Sequence, residues 1–101
     1  MLRIYEVMLK FVQSLRPVIE QIEAKDRDLG KQMRRAVCSM VLNTGEGMGS
    51  RGGTRRERYR NALGSARETN ACLDVARALD YTQESPVGLL LIINTLVKLS
   101  A

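Results

Sequence analysis

Two polar series, Arg35/Ser39/Asn43/Glu46 and Asn61/Ser65/Glu68, constrain this chain more than any other feature. Their members recur at three- and four-residue intervals, which puts each series on one face of a helix. Between them stand Gly45, Gly47, Gly49, Gly52 and Gly53, the composition of a turn. If the turn centres near Arg51 and Gly52, position i on the first helix faces roughly position 104 − i on the second, antiparallel one. Asn43 then meets Asn61, Ser39 meets Ser65, Glu46 lies near Arg58, and Arg35 lies opposite Glu68 or Thr69. Partners at matching heights imply that both series are buried or half-buried and satisfy one another, because a polar group left unpaired there is costly. They read as an assembly device, not as a catalytic site.

The remaining apolar residues keep the helical period. Leu2, Tyr5, Met8, Phe11, Val12, Leu15, Ile19 and Ile22 mark a first amphipathic helix over about 2–24, with a kink expected at Pro17 because the stripe continues in phase beyond it. Asp28 is positioned to cap a second helix over about 29–48, whose stripe is Leu29, Met33, Ala36, Val37, Met40, Val41 and Thr44. Cys38 and Leu42 add apolar surface on another side of it. Thr54-Arg55-Arg56-Glu57 has the form of a capping box and predicts a third helix over about 55–80. Its inner stripe is Tyr59, Ala62, Leu63, Ala66, Leu73 and Ala76, and Gly64 beside it suggests a close approach of two backbones. Ser85-Pro86 predicts the start of a fourth helix over about 86–100, apolar most of the way round through Val87, Leu90, Leu91, Leu96 and Val97. Surplus apolar surface on the second and fourth helices implies more contact than one neighbouring helix provides, as for a central helix or one at a subunit interface. With 101 residues and one aromatic-poor, Ala- and Leu-rich composition, the expectation is a single all-α domain over 1–101.

Charge is uneven along the sequence. Of sixteen Lys and Arg and eleven Asp and Glu, residues 31–60 hold eight basic positions (Lys31, Arg34, Arg35, Arg51, Arg55, Arg56, Arg58, Arg60) against Glu46 and Glu57. Twelve of the sixteen cations are Arg, which suits bidentate phosphate or carboxylate contacts, so polyanions are the natural partner class. Arginines near a helix N-terminus oppose the macrodipole and are kept for a reason other than helix stability. Arg51, Arg55, Arg56, Arg58 and Arg60, with Arg34 and Lys31 contributing, are therefore the candidate nucleic-acid-binding residues. No exposed aromatic residues are expected among them, so binding should be charge-driven and weakly sequence-specific.

Catalytic and cofactor readings find little support. The chain has no His, and Cys38 and Cys72 stand alone in apolar helical segments, so they read as buried inert thiols and not as zinc ligands. No cofactor is expected. Gly47-Met48-Gly49-Ser50-Arg51-Gly52 has the spacing of a dinucleotide fingerprint but follows a helix instead of a strand, so the motif does not apply. Glu46 and Glu68 fall at different heights with arginines as neighbours, and Ser39 and Ser65 have no base. The N-terminus lacks a signal-peptide pattern and Val87 to Ile93 is too short to span a bilayer, so a soluble cytoplasmic protein is expected.

Gln32-Met33-Arg34-Arg35-Ala36-Val37-Cys38-Ser39, Asn43 and Glu46-Gly47, followed by Ala62-Leu63-Gly64-Ser65-Ala66-Arg67-Glu68, resembles a known family. It is similar to the proteins encoded in intervening sequences of bacterial 23S ribosomal RNA genes, once labelled S23 ribosomal proteins. The accessory variability determinant of diversity-generating retroelements belongs to the same superfamily. The resemblance covers about residues 5–82, and Arg34, Arg35, Ser39, Asn43, Glu46, Gly64, Ser65 and Glu68 match the family motif. It implies an up-down antiparallel four-helix bundle assembling as a ring-like homopentamer, with a basic surface for RNA or DNA, a reverse transcriptase as partner in the retroelement branch, and no catalysis. Two positions depart from the pattern: Pro17 inside the first helix, and Asp80 where the family usually has Gly before an aromatic residue. The leading expectation is a non-enzymatic oligomeric bundle that binds nucleic acid. The alternative is a scaffold module docking an acidic protein partner.

Overall fold

Apolar side chains returning every three or four residues fold the chain into four helices: α1 (Arg3–Lys25), α2 (Arg27–Met48), α3 (Gly52–Ala78) and α4 (Leu89–Leu99). The structure is a computed structural model describing residues 3–101, so Leu2 and the expected start of the first helix at residue 2 lie outside the described residues. Consecutive helices pack side by side, α2 and α3 most extensively, and α1 meets α4 to close a four-helix bundle of 42 × 21 × 17 Å. The core holds Met8, Phe11, Leu15, Ile19 and Ile22 of α1, Met33, Val37 and Met40 of α2, Tyr59, Ala62, Ala66, Leu73 and Ala76 of α3, and Leu89, Ile92 and Leu96 of α4. The described residues of the expected α1, α2 and α3 stripes are thus buried or half-buried, whereas Val87, Leu90, Leu91 and Val97 of the expected fourth helix are exposed.

Helix ends differ from expectation in instructive ways. α1 continues through Pro17 without a break; Gln13 and Pro17 are both exposed, so the carbonyl that loses its amide donor is within reach of water. Asp26, not Asp28, caps α2: its backbone is extended and its side chain accepts from the Leu29 N–H at 3.0 Å. α3 starts at Gly52 and makes no use of a Thr54–Glu57 capping box, and its N-cap Arg51 supplies no side-chain bond. Gly52 takes φ +57, which only glycine adopts at little cost, and this reverses the chain early enough for helix to begin there.

α3 ends at Ala78 in a Schellman motif, with Tyr81 N–H donating to the Ala76 carbonyl (2.8 Å) and Asp80 N–H to the Arg77 carbonyl (3.0 Å). Asp80 occupies the left-handed position at φ 59, the place where glycine is favoured. Ser85-Pro86 does not start α4. Residues 79–88 form an irregular connection held by Thr82, which is buried and accepts from the Glu84 N–H, and by Arg77 donating to the Glu84 carbonyl. α4 begins only after Gly88 (φ 106), where an added β-carbon would lie 3.9 Å from the Phe11 ring.

Gly64 does not mediate the expected close approach. A β-carbon there would meet nothing within 4 Å, whereas one on Gly47 would lie 2.6 Å from the Tyr59 ring and one on Gly30 would strike the Glu23 backbone at 2.9 Å. The tight contacts of the bundle are therefore at its two α2 ends.

Candidate nucleic-acid interface

The antiparallel register of α2 and α3 follows the expected alignment. Ser65 Oγ donates to Ser39 Oγ at 2.8 Å, and Arg58 pairs with Glu46 at 3.2 Å. The rest of the polar network is looser than expected. Asn43 turns back along its own helix to donate to the Ser39 carbonyl (2.9 Å) and hydroxyl (3.1 Å), and does not bond Asn61. Thr69 donates to the Ser65 carbonyl, and Arg35 and Glu68 form no ion pair. Arg35, Glu46, Asn61 and Glu68 are exposed, and only Ser39, Asn43 and Ser65 are half-buried. The expectation of two buried polar series is thus corrected to one serine contact between half-exposed faces. The physical reason is that α2 and α3 bury Met40, Thr44, Ala62, Ala66 and Thr69 between themselves and α1/α4, so the polar series fall at the outer flank of the seam.

Up-down topology gathers charges that are far apart in sequence. The α2–α3 turn carries Arg51, Arg55, Arg56, Arg58 and Arg60. The first turn of α1 lies beside it, since the Tyr5 ring faces Gly45, and so does the end of α4, since Arg60 donates to the Ser100 carbonyl at 3.5 Å. Arg3 and Lys98 therefore belong to the same end of the bundle, joined by Lys10, which lies two turns into α1 and lines one hollow with Arg3 and Glu6; sequence reading missed all three. The signal was available: once four helices alternate in direction, the chain's first and last turns fall beside the α2–α3 turn. This end holds eight basic residues against Glu6, Glu46 and Glu57, while the remaining eight basic and eight acidic residues cancel. The whole net charge of +5 resides here.

Within the cluster the arginines are not equivalent. Arg58 is paired with Glu46, and Arg60 lies 3.6 Å from Glu57. Arg55 uses Nε to donate to the Ser50 carbonyl (2.8 Å), which fixes its stem and leaves its terminal nitrogens free of protein partners among the described residues. Arg51 and Arg56 are exposed and form no ion pair among the described residues. Arg34 and Lys31 do not join them. On α2 they stand fourteen or more residues from Met48, about 20 Å along the axis. Arg34 is held by Glu23 through two hydrogen bonds (2.8 and 3.1 Å), which lower the Glu23 carboxyl below its ordinary value and raise the guanidinium above its own. Arg34 clamps α1 to α2 near the opposite end.

The thiols also part company. Cys72 is buried, and desolvation, with Glu68 adding to it, raises its pKa; Cys38, expected to be buried, is exposed on the α1 side of α2. There it lines a hollow of about 380 Å³ with Val12, Gln13, Arg16, Ile19, Arg34 and Val37. Among the described residues no three of His, Cys, Asp and Glu stand together as metal ligands, and no helix is long and apolar enough to cross a membrane.

Comparison with curated proteins and with solved structures finds no match. One family model does match, and it spans nearly the whole chain, including both polar series and the basic turn. By that match over residues 1–99, the protein belongs to the 23S rRNA-intervening sequence protein family.

Proposed function

We propose that the protein is a non-enzymatic, self-associating helical bundle that binds the backbone of RNA or DNA through the basic end formed by Arg51, Arg55 and Arg56, with Arg58, Arg60, Arg3, Lys10 and Lys98 around them. One observation carries this reading: the chain's excess positive charge collects toward one end of the bundle, while the charges of the remaining residues cancel. Exposed pairs such as Arg58–Glu46 contribute little to stability and exchange readily, so these arginines remain available to phosphates. The family's name, which ties it to intervening sequences of 23S rRNA, is compatible with an RNA ligand.

Self-association is supported by unlike apolar surfaces left uncovered on one chain. Val87, Leu90 and Leu91 protrude from the α4 side, whereas Leu9, Val12, Val37, Val41 and Leu42 line a groove between α1 and α2. A contact joining two different surfaces is heterologous and closes into a ring when its rotation permits. Arg35 and Glu68, which form no ion pair among the described residues, and the open flank of Gly64 are further groups for such a contact.

The test is binding of mixed-sequence RNA and DNA at low salt by the wild-type chain and by a variant with Arg51, Arg55 and Arg56 all replaced by Gln. Binding by the first and its loss in the second is the expected result; undiminished binding by the variant contradicts the assignment. The second reading is that the same basic end docks an acidic protein surface, such as that of a reverse transcriptase. Capture of one protein partner after nuclease treatment, without nucleic-acid binding, would favour it.

A further inference from the structure

We infer that the ligand of the basic end is a double strand, held by its phosphates without any contact to unpaired bases; this rests on the nucleic-acid reading above. Proteins that hold single strands without reading sequence lay successive bases on aromatic rings. Here every aromatic ring is committed elsewhere. Phe11 and Tyr59 are each 3% exposed, and Tyr59 lies against Gly47 with no room to swing outward. Tyr5 is half-buried with its ring turned to Gly45. Tyr81 is half-buried at the far end of the bundle, beyond the C-terminus of α3 and near Asp26. The basic end thus offers guanidinium and ammonium groups and no stacking platform.

Its dimensions agree with a duplex. The bundle is 21 × 17 Å in cross-section, so the basic end faces about five or six base pairs of a helix that presents one phosphate per roughly 1.7 Å. An extended single strand offers about half that charge density to the same small patch. Arg51, Arg55 and Arg56 lie within six residues and concentrate charge on a short stretch, where density of phosphates matters more than length.

The experiment is fluorescence anisotropy with the full chain, using labelled RNA and DNA duplexes of about twenty base pairs and each of their component strands, at equal phosphate concentration over a range of salt. Each duplex should bind about tenfold or more tightly than either of its strands. Arginine planes can also stack on bases, and this route would appear as strands bound as tightly as, or more tightly than, the duplexes. That result overturns the duplex inference while leaving the nucleic-acid reading intact. Absence of binding to all probes at the lowest salt overturns both.

Discussion

Asp80 shows how a single backbone angle carries consequence. At φ 59 it pays a steric cost that glycine avoids, so Asp80→Gly should stabilise the protein by up to about 1 kcal/mol, read as a rise in thermal midpoint; an unchanged or lower midpoint would contradict the reading of the Schellman cap. The thiols give a second test at this scale. Alkylation of the native protein should label Cys38 alone, because Cys72 is buried and desolvation keeps its thiol protonated, and mass spectrometry of digested protein reads which site is modified. Asp80 was legible in the sequence as the one acidic residue where the resemblance implies glycine. The exposure of Cys38 was not. It follows Val37 but lies off the line of Met33, Val37, Met40 and Thr44, and an apolar neighbourhood in sequence says little about which side of a helix a residue occupies.

Between elements, the glycines separate two kinds of position that look alike in sequence. Gly47→Ala pushes a methyl into the Tyr59 ring and should destabilise by about 1–3 kcal/mol, whereas Gly64→Ala meets open space and should stabilise the isolated chain by about 0.5–1 kcal/mol. Equal effects in denaturant unfolding would argue against the helix faces described. The α1–α2 clamp gives a pH test. Since Arg34 holds the Glu23 pKa below its ordinary 4.5, the pair contributes stability above that value and loses it as pH falls through the lower folded-state pKa. The difference in thermal midpoint between wild type and Glu23→Gln should therefore shrink in acid. A difference that persists unchanged to the lowest pH at which the protein folds would remove the clamp. Helix identity and the α2–α3 register were readable because apolar period and turn position determine them, as the Ser39–Ser65 bond attests. Helix starts were less readable. Asp26 and Asp28 are chemically equivalent caps two residues apart, and Ser85-Pro86 has the right residues but lies in a connection that must still reach Phe11 before a helix can pack.

For the whole molecule, the decisive property is a segregation of charge that the linear sequence shows only in part. Arginines 51–60 announce themselves as a cluster, but Arg34 and Lys31, near them in sequence, are about 20 Å away along the bundle, and Arg3, Lys10 and Lys98, remote in sequence, are at the same end. Topology, not proximity in the chain, decides which cations act together. Membership of the 23S rRNA-intervening sequence protein family accords with a helical bundle of this kind, and the charge distribution is the ground on which a phosphate backbone is proposed as its ligand. The salt dependence of nucleic-acid affinity tests this most directly, since each phosphate contact adds about 0.9 to the slope of log affinity against log salt on a duplex. Replacing Arg51, Arg55 and Arg56 with Gln should lower that slope by about two to three, while replacing Lys31 and Arg34 should leave it unchanged. A slope that is insensitive to the first set, or that falls with the second, would contradict the assignment of the basic end.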